Sequence, residues 1–350
     1  MKEKKFYNAD KILSLKDLDN LEPTIFLITS NRCAGKTTYF LKKFLEDFKK
    51  TGEKFILIYR YSYELNACEN IFSDVLSIYP QFGQDMESTS YARGLFYELF
   101  LDKKSCGFAV SMSNPDSLKK YSPVFKDCTQ ALLDEFQVEN GKYLPRETDK
   151  LQSLLVTVSR GGGKQYKEVK LYLLSNMVTI MNPYYITFGI HKRLRENTKF
   201  LRGHGWVAEF NINESARKGL AESAIARAFQ NSNYMNMSSE SVYLYDSKAF
   251  VKNVKGRNRY LFSIRHDNRL YGVREFFDEN LLVVSKKADK NCQNIMTFQT
   301  KDHDTSTLLV DRYSFYVKLM KDAFKRGYLR FDDIETKNVV FDILGVDIYH

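Results

Sequence analysis

Residues 24–38, TIFLITSNRCAGKTT, constrain this chain more than any other stretch. An apolar run ends at Ser30, a short polar loop follows, and Gly35-Lys36-Thr37 leads into a segment with helical spacing that stops near Thr51-Gly52. Strand, tight loop and helix in this order match the phosphate-binding pattern G-x-x-x-x-G-K-[ST], whose backbone N–H groups wrap phosphates. The lysine of that pattern reaches the β- and γ-phosphates, the Thr or Ser hydroxyl binds Mg²⁺, and the helix N-terminus adds its partial positive charge. Residues Ser30, Asn31, Arg32, Cys33, Ala34, Gly35, Lys36, Thr37 and Thr38 are therefore the expected nucleotide-binding set, with ATP and Mg²⁺ as ligands. Ser30 stands where the pattern has its first glycine, and serine disfavours positive φ, so an altered loop entry is expected.

A second motif follows about 100 residues later. Residues 127–136, DCTQALLDEF, read as an apolar strand that delivers Asp134 and Glu135 at its end. After a phosphate loop, the first such carboxylate holds Mg²⁺ and an adjacent glutamate activates water. Between the motifs, residues 55–59 (FILIY) read as a buried parallel strand with Arg60 at its carboxyl end, where ligand residues sit in open α/β sheets. Residues 64–78 read as a helix, and 95–112 as a hairpin. Residues 145–160 form the next predicted helix. It closes on Ser159-Arg160 and three glycines, so Arg160 reads either as a helix-end cation favoured by the dipole or as an arginine finger. Residues 169–176 give another strand ending at Asn176, either a turn residue or a sensor of the γ-phosphate.

The tail has a different grammar. Residues 197–240 are polar and read as a linker with helical content. Residues 241–245, 259–265, 270–277 and 281–285 read as strands of an antiparallel meander, and a helix is expected over 309–326. Strands followed by helices describe an α+β domain. Between Lys248 and Arg274 lie eight basic residues and one acid, with Phe250, Tyr260 and Phe262 interleaved. This reads as a phosphate-contacting surface, with Lys248, Lys252, Lys255, Arg257 and Arg259 as candidate DNA ligands; a sheet edge defended by cations is the alternative.

Composition narrows the remaining classes. The formal net charge is +10, which suits a polyanion partner. Five scattered cysteines without a C-x-x-C pair and five scattered histidines argue against a zinc or disulfide framework. No apolar run approaches membrane-spanning length and no apolar signal core opens the chain, so an intracellular protein without a membrane partner is expected.

Taken together, these stretches resemble the genome-packaging (encapsidation) ATPases of the phi-29-like small podophages. The resemblance is carried by Phe6-Tyr7-Asn8 with Lys11 and Leu13-Ser14, by Arg32 with Gly35-Lys36-Thr37, and by Arg60-Tyr61 with Glu64-Leu65. It continues through Asp134-Glu135-Phe136, Leu174-Ser175-Asn176 with Asn182-Pro183-Tyr184, and Gly327-Tyr328-Leu329-Arg330-Phe331-Asp332. It implies an ASCE-type P-loop ATPase domain over 1–198 with a mainly parallel sheet, a helical linker over 199–235, and an α+β domain over 236–350 similar to a vestigial RNase H-like nuclease. It implies a homopentameric ring on the portal of a prohead, pushing double-stranded DNA inward. That places the protein in the host cytoplasm, on the prohead during packaging and absent from the mature virion. Members of the group also use a packaging RNA at the portal. By matching position, Lys36 and Thr37 bind nucleotide and Mg²⁺, Asp134 binds Mg²⁺, Glu135 positions the water, Asn176 senses the γ-phosphate, and Arg160 is a finger supplied to the neighbouring subunit. Two other classes fit the residues: a terminase-like ATPase with an active C-terminal nuclease using carboxylates such as Asp246, Asp267, Asp332 and Asp347, and a non-packaging P-loop nucleic-acid motor.

Overall fold

The computed structural model describes residues 6–139, 142–160, 165–180, 182–194, 198–229, 254–311, 313–325 and 328–344. The chain divides into two compact units, Met1–Val178 with Lys199–Ser241, and Thr179–Thr198 with Val242–His350.

The first unit is built on nine strands: β1 (Ile25–Ser30), β2 (Lys54–Tyr59), β3 (Met86–Tyr91), β4 (Phe96–Leu101), β5 (Lys104–Ser111), β6 (Cys128–Leu133), β7 (Lys170–Asn176), β8 (Phe200–Gly203) and β9 (Trp206–Asn211). Their order is β3-β4-β5-β2-β6-β7-β1-β9-β8. From β5 to β9 every neighbouring pair is parallel. Strands buried on both faces need continuous apolar runs, and β1, β2, β6 and β7 are such runs. Antiparallel β3-β4 and β8 close the two edges. The order has one consequence for chemistry. Strand β7 lies between β1 and β6, so the carboxyl end of β7 stands between the phosphate loop and Asp134.

The helix Lys36–Thr51 packs on this sheet through Phe40, Leu41, Phe44 and Leu45, all buried and spaced at three and four residues. Phe40 meets Tyr172 at 4.7 Å between centroids, Tyr172 stacks on Phe26 at 5.2 Å, and Phe44 stacks on Phe55 at 5.3 Å. Each buried ring contributes about 1.5–3 kcal/mol, so the helix behind the phosphate loop has a rigid seat. It stops at Gly52, whose left-handed φ of 78° lets its N–H reach Phe48 O at 2.9 Å.

The second unit contains β10 (Asn258–His266), β11 (Arg269–Phe276), β12 (Leu281–Ser285), β13 (Ile295–Thr297), β14 (Leu308–Leu309) and β15 (Leu329–Phe331), in the order β14-β13-β10-β11-β12-β15. β10, β11 and β12 form the antiparallel meander expected from sequence. Its first turn uses left-handed Asp267 and Asn268, as a tight hairpin of right-twisted strands requires. Helices Phe315–Lys325 and Ile334–Leu344 bury Val317, Met320, Val340 and Phe341 in one core with Phe262, Ile264, Val273 and Val284.

Several expectations are corrected. Residues 200–211 are strands β8 and β9 of the first sheet rather than part of a helical linker over 199–235. The polar flanks of this short hairpin hid its strand character, although Trp206 to Phe210 are all buried. Among the described residues of that region, Glu214–Ala221 and Ala224–Ala228 are helical. Residues 179–198 group with the second unit, not with the 1–198 domain. The predicted helix 64–78 is broken: left-handed Ala67 separates the 3₁₀ turn Ser62–Leu65 from a second, Cys68–Phe72, which runs into the short helix Ser73–Ile78. The helix expected over 309–326 starts at Phe315, because 308–309 pair as β14. The short strands β13, β14 and β15 have too few residues to show a period and were missed. The expected strand 241–245 and the candidate ligands Lys248 and Lys252 lie outside the described residues, as do Asp246 and Asp347.

Candidate nucleotide site

The carboxyl ends of β1, β6 and β7 bring together Ser30, Asn31, Lys36, Thr37, Asp134 and Asn176. Lys36 opens the helix after the phosphate loop and is 7% exposed. Its ammonium donates to Ser30 Oγ at 2.9 Å, Asn31 O at 3.2 Å and Asn176 Oδ1 at 3.2 Å. Burial lowers the Lys36 pKa to about 8, against the opposing pull of Asp134. An ammonium held this way keeps its charge near neutral pH and lacks full solvation, so an arriving phosphate replaces modest contacts. Thr37 donates from Oγ1 to Asp134 Oδ2 at 2.6 Å. Burial pushes the Asp134 carboxyl up, while the Thr37 hydroxyl and the Glu135 N–H draw it down.

Loop conformation follows from two residues. Cys33 (φ 58°) and Gly35 (φ 89°) are left-handed and flank Ala34, the alternation that turns successive N–H groups inward as an anion nest. Ser30 is not left-handed. Its hydroxyl accepts from the Lys36 ammonium. Arg32 pairs with Glu139, which ties the loop to the segment after β6. Thr38 is half-buried in the first helical turn. Tyr7 N–H donates to Ala34 O at 2.9 Å, and Tyr7 OH to the buried Glu209 at 2.6 Å, so the N-terminal segment braces the loop.

Glu135 follows β6 with φ 56°. A non-glycine residue held there costs on the order of 1–3 kcal/mol, and such outliers gather at functional sites. Its N–H donates to Asp134 Oδ1 at 2.9 Å. Its carbonyl accepts Arg60 Nη2 at 3.2 Å, and Phe136 O accepts the same nitrogen at 3.4 Å. Arg60 itself is buried in a two-pronged pair with Glu147, both contacts 2.9 Å. Removing one partner of such a pair costs about 3–5 kcal/mol. The strained backbone carrying Glu135 therefore rests on Arg60 and Glu147. Arg60 was legible from its place after β2; Glu147 carried no signal in the sequence.

Arg160 sits apart. It is exposed after the helix Glu147–Val158, and its guanidinium bonds to no described residue. Ser159 O accepts Lys167 N at 2.9 Å, and Lys167 Nζ reaches Phe125 O and Lys126 O at 2.7 and 2.8 Å, just before β6 begins. This anchors Arg160 at the amino-terminal edge of the sheet, whereas Lys36, Asp134 and Asn176 occupy the carboxyl edge. The six residues of β6 span about 20 Å at ~3.3 Å each, a gap no arginine side chain crosses.

The basic ribbon is more compensated than its sequence suggested. Arg257 pairs with Asp278, Arg259 with Glu275, Arg265 with Asp304 and Arg269 with Glu335. Arg274 lies over the Tyr260 ring at 4.6 Å. Acids distant in sequence supply these partners. Among the described residues, no group of three or more His, Cys, Asp or Glu side chains converges to hold a metal ion, and no helix is long and apolar enough to cross a membrane.

The family model "Podovirus DNA encapsidation protein (Gp16)" matches residues 1–347. The DNA packaging protein of Bacillus phage phi29 is 26% identical over 343 residues, covering 97% of this chain and 96% of its own length. That of Bacillus phage PZA is 27% identical over the same span. Among solved structures, the bacteriophage Phi-29 viral genome packaging motor assembly aligns with TM-score 0.56 and 25% identity over 99% of both chains.

Proposed function

The chain belongs to the podovirus DNA encapsidation proteins, and from that premise we propose that it is an ATP-hydrolysing motor that drives double-stranded DNA into a preformed prohead. The observation that carries this reading is the assembly of Lys36, Thr37, Asp134 and Asn176 within hydrogen-bond reach at the carboxyl edge of one sheet. The residues fit Mg–ATP: a buried ammonium, an inward-facing loop, and a hydroxyl beside a carboxylate. Thr37 and Asp134 would hold Mg²⁺, which supplies positive charge to the β- and γ-phosphate oxygens. Lys36 leaves Ser30 and Asn31 for the phosphates. Glu135 orients the attacking water and takes its proton, and Asn176 contacts the γ-phosphate.

Arg160 completes the site from the next subunit. Its place at the opposite edge of its own sheet supports action in trans, which makes each hydrolysis contingent on ring contact and lets firing pass around a ring, read here as a pentamer. DNA, the portal and a packaging RNA are the partners of this reading. The order β14-β13-β10-β11-β12, a meander continued by parallel strands beside its first member, supports an RNase H-like second unit. That unit is read here as a vestigial nuclease. Purified protein is expected to show Mg²⁺-dependent ATPase activity that double-stranded DNA stimulates, without nicking. Nicking that disappears with Asp267→Ala would favour the terminase-like alternative.

A packager must accept every sequence, so its grip is to phosphates. Affinity for DNA is expected to fall with salt and hardly vary with sequence. Removing Lys255, Arg257 and Arg259 together is expected to flatten the salt dependence, by about one unit of slope for each phosphate no longer neutralised. Because Arg257 and Arg259 have acid partners in the free protein, a change below three units is expected. An unchanged slope would move the DNA surface elsewhere.

A further inference from the structure

The phosphate loop is joined to the chain beyond β9 through Asn31. Asn31, 3% exposed, donates from Nδ2 to Asn213 O at 3.1 Å and accepts from Asn213 N at 2.7 Å. A side-chain amide here pairs with a backbone as one strand pairs with another, and both its polar atoms are desolvated, so neither bond is readily exchanged for water. Asn213 is also the N-cap of the helix Glu214–Ala221. Its side chain accepts from Ala216 N at 2.9 Å and its carbonyl from Arg217 N at 2.9 Å. That carbonyl is therefore shared between the helix and the loop. On the other side, Asn31 O accepts Lys36 Nζ at 3.2 Å. One residue thus touches both the ammonium that moves to an incoming phosphate and the residue that starts the helix, after which the chain runs on to the second unit at Val242.

We propose that Asn213 is a positioning residue for nucleotide binding, and that through Asn31 it makes the N-terminus of the helix Glu214–Ala221 respond to whether the phosphate loop is loaded. The inference rests on the nucleotide-binding reading of that loop. When Lys36 turns to the phosphates, the loop is pinned by its N–H groups. Asn31 then holds the Asn213 backbone more firmly, and the first turn of the helix opens less often. By reciprocity, an ordered helix start favours nucleotide binding by the same factor.

Two substitutions separate this link from the cap itself. Asn213→Ala removes the capping side chain and keeps the backbone N–H. Asn213→Pro removes the side chain and the N–H that Asn31 accepts; its φ of −82° lies near the range proline adopts. Hydrogen–deuterium exchange is read on the full chain with and without Mg²⁺ and the non-hydrolysable analogue AMP-PNP. In the parent, the analogue is expected to slow exchange over 213–221 by about fivefold or more, the lower range of coupling between linked sites. Asn213→Ala frays the helix in both states and keeps this difference. Asn213→Pro loses the difference and raises KM for ATP above that of Asn213→Ala, with a smaller change in kcat. Should Asn213→Pro not fold, Asn31→Ala at saturating analogue takes its place and must also lose the difference. A difference retained in Asn213→Pro or Asn31→Ala, equal KM values for the two Asn213 variants, or unchanged or faster exchange in a parent that binds the analogue overturns the proposal. A parent that binds no analogue by calorimetry overturns the phosphate-site reading itself, and this inference with it.

Discussion

Arg160→Ala is expected to bind ATP with near-parent affinity and to hydrolyse it about 10³–10⁵ times more slowly, the range an arginine finger supplies. At 1.36 kcal/mol per decade this is about 4–7 kcal/mol of barrier. Lysine is expected to rescue poorly, because it lacks the planar donor fork. The geometry adds what rate alone does not. Lys167 holds the base of the Arg160 segment against the start of β6, a strand's length from the Lys36 site. On the trans reading, the finger and the pocket of one subunit belong to two different reactions. Subunits carrying Arg160→Ala keep an intact pocket, and subunits carrying Lys36→Ala keep an intact finger. Each alone is expected to be inactive, and mixed rings to recover part of the ATPase rate. Absence of recovery in rings shown to be mixed would assign Arg160 to a helix-end charge.

Glu135→Gln is expected to bind Mg–ATP and to lose about 10²–10⁴ in turnover, the usual contribution of a positioned general base. Glutamine keeps the volume and cannot accept the proton of the attacking water. The left-handed backbone at Glu135 and its support by Arg60 make this a test of the side chain alone, because glutamine leaves the Arg60 contacts to the carbonyls of Glu135 and Phe136 in place. Lys36→Ala is the matching control, expected to lose nucleotide binding. Parent-level hydrolysis by Glu135→Gln would remove Glu135 from the role of base.

The centre was legible in the sequence where local pattern and chemistry coincide. Gly35-Lys36-Thr37 follows an apolar strand, Asp134-Glu135 ends another, and Asn176 ends the strand that sheet order sets between them. What was not legible depends on long-range pairing. Glu147 lies 87 residues from Arg60, and Asn213 lies 182 residues from Asn31. No spacing rule connects such residues; only the sheet order does. The same limit explains the basic ribbon, whose composition promised open charge while Glu275, Asp278, Asp304 and Glu335 return from elsewhere to meet it. Residues 200–211 failed for a different reason. Two short strands between polar segments give a weak period, and their place is secured by pairing with β1.

The central claim is that hydrolysis at this centre moves DNA. The most direct measurement is DNase-protected DNA recovered from cognate proheads incubated with the protein, DNA and Mg–ATP. The parent is expected to protect DNA with ATP and to protect none with AMP-PNP, and Glu135→Gln is expected to protect none with either. Parent-level protection by Glu135→Gln, or by the parent with AMP-PNP, would contradict the account.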